Sequence, residues 1–259
     1  MREIYVHLPL LEPLEALNQL KDTDFGIVLN FDSRYLDYPK KKMTEVKKLT
    51  SDVDNLSIHG PFMDLNAGSI DERVRNLTMY RYNQALNLCE FLGAKTVIFH
   101  TGYSPFSYDF IVDLWIENSI EAWNEIAKEA SKIDINIHLE NSYEDKPEVI
   151  SQLLEKINAK NISFCFDVGH ANVYSEENLD NWMYSLRDYI KEVHLHDNDG
   201  KQDLHKPLGE GNIDFSFLTK FKDIKPRLTL EMMTLEDVSK SVKFLEDQNG
   251  RVRKNWQTI

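Results

Sequence analysis

Eight short strand-type runs recur along the chain, most of them separated by longer segments of helical character. This alternation limits the fold more than any other feature. The runs are EIYVHL (3–8), FGIVLN (25–30), NLSIHG (55–60), KTVIFH (95–100), INIHLE (135–140), ISFCFD (162–167), KEVHLH (191–196) and RLTLEM (227–232). Several are apolar nearly throughout, as strands covered on both faces should be. Eight βα units in 259 residues predict an α/β protein folded as one closed (β/α)8 TIM barrel over residues 1–259. No GxGxxG follows the first run, so a dinucleotide-binding open sheet has no support.

The clearest helix is expected over 69–93, with Ser69 and Glu72 as a capping box, Gly93 closing it, and Ile70, Val74, Leu77, Tyr80, Ala85, Leu88 and Leu92 as its apolar stripe. Others are expected over 112–131, 147–157, 178–189 and 235–247, with Lys40, Lys41 and Lys42 opening an exposed helix and a terminal extension from Gln248 to Ile259. No apolar run is long enough to span a membrane, and Glu3 and Glu12 interrupt the N-terminal stretch where a signal peptide needs an apolar core. A cytoplasmic protein without a membrane partner is expected. Cys89 and Cys165 each lie inside an apolar run, which suits buried reduced thiols. A net charge of −13 argues against a generally basic surface for nucleic acid, although carboxylates seated on cations would lower the effective figure.

Chemistry-bearing side chains gather at the ends of the strand-type runs. His59, His100, Glu140, Asp167, His194 and Glu231 end runs three to eight, at separations of 41, 40, 27, 27 and 37 residues. In a parallel barrel all strand C-termini open onto one rim, so these positions converge there. His170 follows just beyond Asp167. Imidazoles and carboxylates together suit zinc or manganese, and carboxylates crowded without a cation would repel. His196 shares a strand face with His194 by alternation; His194 is the favoured ligand and His196, with Asp197, a supporting group. His138 is expected one layer deeper, and His7, ending the first strand, is a candidate for substrate contact.

With these motifs assembled, the chain resembles the endonuclease IV and xylose isomerase-like TIM-barrel superfamily over nearly its whole length. DLHKPLGEGNID (203–214) is similar to the DRHxxLGxGxIG signature of endonuclease IV, and CFDVGHAN (165–172) to its CxDxxHA stretch. The resemblance implies a multinuclear site, with two or three divalent ions, on His59, His100, Glu140, Asp167, His170, His194, Asp203, His205 and Glu231. The superfamily's sugar isomerases and epimerases instead use one metal, which here would take Glu140, Asp167, His194 and Glu231, with Glu140 and Glu231 as the acid–base pair. Ketose epimerases carry an Arg six residues after the strand-seven His, where this chain has Gly200. HGPFMDLNAG (59–68) replaces the loop that endonuclease IV inserts into DNA. It keeps Phe62 and Met63 near the intercalating positions but sets acidic Asp64 beside them.

The leading expectation is therefore a divalent-metal-dependent hydrolase acting on the phosphoester of a small sugar-phosphate or nucleotide-like compound. Glu140 and Glu231 are its catalytic candidates, and Arg34, Phe62, Lys206 and His7 its candidate substrate contacts. A sugar or sugar-phosphate isomerase or epimerase is the alternative. An abasic-DNA endonuclease, with nucleic acid as partner, and a non-catalytic metal-binding barrel rank lower. Asp199-Gly200 is expected to turn the chain so that Asp203 and His205 return to the metals, with Gly209 and Gly211 allowing close approach.

Overall fold

A computed structural model describes residues 3–8, 13–20, 23–37, 40–221 and 223–249. Eight parallel strands close on themselves in sequence order: β1 (Ile4–Leu8), β2 (Gly26–Asn30), β3 (Leu56–His59), β4 (Thr96–His100), β5 (Asn136–Glu140), β6 (Ile162–Asp167), β7 (Ile190–Leu195) and β8 (Arg227–Glu231). The protein is thus a (β/α)8 barrel, and each expected strand lies within about a residue of its place. The main apolar core sits between strands and outer helices, where Trp115, Trp123 and Trp182 are fully buried. No helix among the described residues is long and apolar enough to cross a membrane.

Alternation of side chains along the strands sorts the barrel interior into layers. Tyr5, Ser57, His138 and Glu192 form the lowest, where Arg227 donates to Ser57 Oγ at 2.9 Å and to Glu192, and lies over the Tyr5 ring. Above it Val28, Ile98 and Cys165 form, with Tyr5, a small apolar plug separate from the main core. His7, His59, Glu140 and His194 follow, then Asn30, His100, Asp167 and Glu231 at the rim. The register sets His100 beside Glu140, Asp167 beside His194 and His7 beside Glu231. Above the apolar plug the interior is polar up to the C-terminal rim, which is where the site lies.

The long helix after β3 differs from the expectation. It runs Glu72–Leu92, capped by Asp71, whose carboxylate accepts from Arg73 N, while Ser69 Oγ accepts from Asp71 N instead of forming a capping box. Its buried stripe is Thr78, Tyr82, Ala85, Leu86, Leu88, Cys89 and Leu92, so Ala85, Leu88 and Leu92 are buried as expected, whereas Ile70, Leu77 and Tyr80 are exposed. Tyr82 sets that phase by stacking on Phe99 at 4.2 Å and Trp123 at 5.2 Å. Gly93 ends the helix with φ +84°, as expected. The other expected helices occur as Val112–Lys132, Glu148–Lys156, Leu179–Leu186 and Leu235–Asn249, and the lysine run opens Lys40–Leu49. The expected terminal extension begins inside the last helix, and residues 250–259 lie outside the described residues.

Candidate metal centre

The rim brings the nine expected ligand residues, together with His196, into three adjoining groups, each with ligand atoms within 4.8 Å of one another: His59, His100 and Glu140; Glu140, Asp167, His194 and Glu231; and His170, His196, Asp203 and His205. Glu140 belongs to the first two. Its Oε2 lies 3.0 Å from His59 Nε2 and 3.5 Å from His100 Nε2, while Oε1 lies 3.0 Å from His194 Nδ1. One carboxylate therefore faces both groups, an oxygen to each.

The backs of the imidazoles are anchored. His59 Nδ1 donates to Gly60 O at 3.0 Å, His170 Nδ1 to Asn141 O at 2.9 Å, and His205 Nδ1 to Glu231 O at 3.0 Å. A neutral ring held in that way turns a lone pair, not a proton, toward the neighbouring carboxylates. For His59 the forward nitrogen faces Glu140; for His170 and His205 it lies 3.3 and 3.2 Å from Asp203 Oδ2. Lone pair against carboxylate is repulsive unless a cation lies between them or the ring takes up a second proton. His196 Nδ1 and Asp203 Oδ1 are moreover buried without a hydrogen bond, facing each other at 3.5 Å, and the buried Glu231 Oε2 lies 3.0 Å from His194 Nδ1, the nitrogen that also faces Glu140. Orphaned atoms and anchored rings both fit divalent cations, and nitrogen with carboxylate oxygen suits zinc or manganese.

The electrostatics are those of groups awaiting a charge. Burial opposes ionisation of Glu140, but His194, His100 and His59 outweigh it and hold its carboxyl well below the usual range. Burial likewise opposes the charge of Glu231, which His7 and His194 overcome. Burial drives the His100 imidazole down to about 3. Cys165 also comes near Glu140 and His194, but burial pushes its thiol well up and keeps it protonated.

The loop after β7 is two arms held together. Asp197 and Lys206 pair through both backbone groups, at 2.9 and 2.8 Å, and the Asp197 carboxylate accepts from the backbone N–H of Asn198, Gly209, Gly211 and Ile213. A Cβ on Gly211 would meet Asn198 O at 2.2 Å, which explains the glycine there. Asp203 and His205 are carried back to His170 on the second arm. His196 lies beyond the strand and is wedged against Gly169, with Nε2 3.2 Å from Asp167 Oδ1 and its ring stacked on His205.

A cleft of about 250 Å3 opens above the groups. His7 and Phe62 line it, His7 also pairing with Glu231 at 3.0 Å, and Phe62 stacking on His100 with centroids 4.3 Å apart. Arg34 and Lys206, expected as phosphate contacts, do not line it. Arg34 is bound to Asp32 on an exposed turn, and the charge of Lys206 acts on Asp199. Residues passed over in the sequence include Glu192, which accepts from Thr229 Oγ1 and His138 Nδ1 at 2.6 Å each and lies 3.4 Å below His194 Nε2. Its signal was legible, two positions before His194 on the same strand face. Asn30, ending β2, obeys the same strand-end rule. Tyr143, Tyr174, Met232 and Met233 also line the cleft, and nothing local marks them.

Fold and rim together define a (β/α)8-barrel protein whose strand ends form a nitrogen- and carboxylate-rich candidate metal centre. The family model of xylose isomerase-like TIM barrels matches residues 18–248, and the chain belongs to that family. It is 33% identical over 202 residues to the uncharacterized protein MJ1311 of Methanocaldococcus jannaschii, covering 73% of this chain and 68% of that protein. A probable endonuclease 4 of Staphylococcus epidermidis is 27% identical over 188 residues, 65% of this chain and 62% of its own length. Among solved structures, a D-tagatose 3-epimerase-like protein superposes with TM-score 0.80 at 29% identity, covering 95% of this chain and 96% of that one. A Thermus thermophilus protein, TTHB071, from a crystal soaked with zinc chloride, gives TM-score 0.80 at 27% identity, covering 97% of this chain and all of that one.

Proposed function

We propose that the protein is a multinuclear, divalent-metal-dependent hydrolase of small phosphoesters, working in the cytoplasm. The observation that carries this reading is the third group, His170, Asp203 and His205 with His196 stacked behind, adjoining the two that share Glu140. A one-metal isomerase has no use for it. Cations bound there would lower the pKa of water toward ~7 and neutralise phosphate charge on both the attacking and the leaving oxygen.

The chain's own part is positioning and proton transfer. Glu140 is fully buried and does not line the cleft, so its role is to hold the first two groups at a set separation. Glu231 lines the cleft, with Oε1 3.0 Å from His7 Nδ1 and Oε2 3.0 Å from His194 Nδ1. As the water oxygen bonds to phosphorus and the phosphorus–alcohol bond breaks, the water proton passes to the Glu231 carboxylate and on to the departing alkoxide. Phosphate charge falls to the metals alone, because no Lys or Arg among the described residues lines the cleft.

The second reading, a sugar or sugar-phosphate epimerase using Glu140 and Glu231 around one metal, draws on the similarity to the D-tagatose 3-epimerase-like protein and on that lack of cationic side chains. One experiment separates the two. Chain loaded with zinc or manganese is given small phosphomonoesters, phosphodiesters and ketoses in deuterated water, and bound metal is counted in parallel. Phosphate release with two or more ions per chain is expected. Deuterium entering a sugar carbon, with one ion per chain and no phosphate release, would replace the hydrolase by the epimerase.

A further inference from the structure

The cleft is lined by two kinds of side chain. Imidazoles and the carboxylates of Asp203 and Glu231 are one, and Phe62, Tyr143, Tyr174, Met232 and Met233 are the other. Tyr143 and Tyr174 come from different connections, the first after β5 and the second at the end of the helix Val168–Tyr174. Their rings meet edge to face at 4.9 Å and 70°, yet remain 48% and 37% exposed. Two large rings ordered against each other beside a cleft, and left open to water, form a ready surface for a third ring. Met233, 66% exposed, is a pliant apolar group on the same cleft.

Size and charge narrow the ligand further. About 250 Å3 falls below the ~300–1,000 Å3 of sites for drug-sized ligands, which suits one ring and one phosphoryl group. A second phosphate or a nucleic-acid strand needs cationic side chains along its path, and among the described residues the cleft has neither Lys nor Arg, in a chain of net charge −13.

Resting on the phosphoester reading above, we propose that the substrate's alcohol portion is a single neutral ring with an apolar face, seated against Tyr143 and Tyr174 while its phosphoryl group points to the metal groups. Specificity then resides in these two tyrosines and not in the ligand residues, which sense only phosphate.

The test is calorimetric binding of two non-hydrolysable probes, methylphosphonate and phenylphosphonate, to the metal-loaded protein, with a duplex carrying an abasic-site analogue as a third. Phenylphosphonate is expected to bind at least ~10-fold more tightly than methylphosphonate, as stacking of one ring implies. In the double variant Tyr143→Ala, Tyr174→Ala that advantage should fall to about twofold or less, with methylphosphonate affinity kept. Both rings are substantially exposed, so the variant should fold. Equal affinity of the two phosphonates, an advantage that survives the double variant, or preferential binding of the duplex overturns the ring assignment. Failure of methylphosphonate to bind at all removes the phosphoester reading and this inference with it.

Discussion

His196 lies face to face with His205, ring centroids 4.0 Å apart and planes within 6° of parallel, although the two stand on opposite arms of the loop after β7. Parallel rings cannot both aim in-plane lone pairs at one point, so this stack supports His205 while His196 Nε2 serves Asp167. His196 thereby ties the second metal group to the third. Outer supports of metal ligands are commonly worth about 10–100-fold in affinity. His196→Ala should therefore lose about one ion per chain on dialysis against a weak chelator, read by elemental analysis. Full retention of metal would show that the stack carries no weight.

Gly169 makes room for that ring. A Cβ there would sit 1.9 Å from His196 Cε1, with the helix backbone on the other side. Gly169→Ala should thus destabilise the fold by about 1–3 kcal/mol through overpacking, and should lower metal retention as His196→Ala does. Urea denaturation together with metal counting checks both, and a variant as stable as the parent would contradict the close contact.

Glu192 is the counter-ion of Arg227 inside the barrel, and both are buried. Taking away only the carboxylate leaves a desolvated guanidinium, so Glu192→Ala should cost about 3–5 kcal/mol. Replacing both, as Glu192→Leu with Arg227→Met, should recover much of that loss. His194, 3.4 Å above Glu192, should still lose metal affinity in the double variant, because its rear nitrogen is no longer oriented. Stability and metal retention would then separate, which a purely structural Glu192 would not allow.

Glu144 gives the stability a pH dependence of its own. Its carboxyl is buried beside Thr101 and accepts from Ser142 N, and burial raises its pKa from 4.5 to about 7. The folded chain therefore keeps a proton that the unfolded chain releases, and this contribution is full below about 4.5 and lost as pH rises through about 7. Glu144→Gln keeps the shape without the titration. Measured on metal-free protein, its stability relative to the parent should rise between pH 5 and pH 8 by on the order of 3 kcal/mol. Parallel pH profiles of the two would refute the assignment.

Metal should hold the rim together, since the Asp203 and Glu231 carboxylates crowd against imidazole nitrogens at 3.0–3.5 Å and a cation is what both kinds of group would ligate. Chelation is expected to lower the thermal midpoint by several degrees and to raise hydrogen exchange in residues 197–213, with recovery on adding zinc or manganese. A chelator-insensitive loop would mean that Asp197 alone maintains it.

Much of this was legible in one dimension. Strand alternation and the spacing of βα units are periodic, so eight strands and the convergence of His59, His100, Glu140, Asp167, His194 and Glu231 on one rim could be read directly. Glu192 obeyed the same alternation and needed only a look two residues upstream of His194. The capping box at Ser69 failed because Asp71, two residues later, offered a carboxylate to the first free N–H; the apolar stripe held at Ala85, Leu88 and Leu92 but not at Leu77 and Tyr80, because Tyr82 set the phase by finding Phe99 and Trp123.

By itself, then, the order of residues determined the barrel and the inventory of ligands, because both rest on periodicities that every strand repeats. Only the tertiary structure decided which oxygen of Glu140 faces which group, that His196 stacks on His205, that Arg34 and Lys206 stay out of the cleft lining, and that two tyrosines wall the cleft. Those are contacts between loops of different βα units. Their geometry is set when the barrel closes and each side chain competes for the partner nearest to it in space, a competition that no local pattern records.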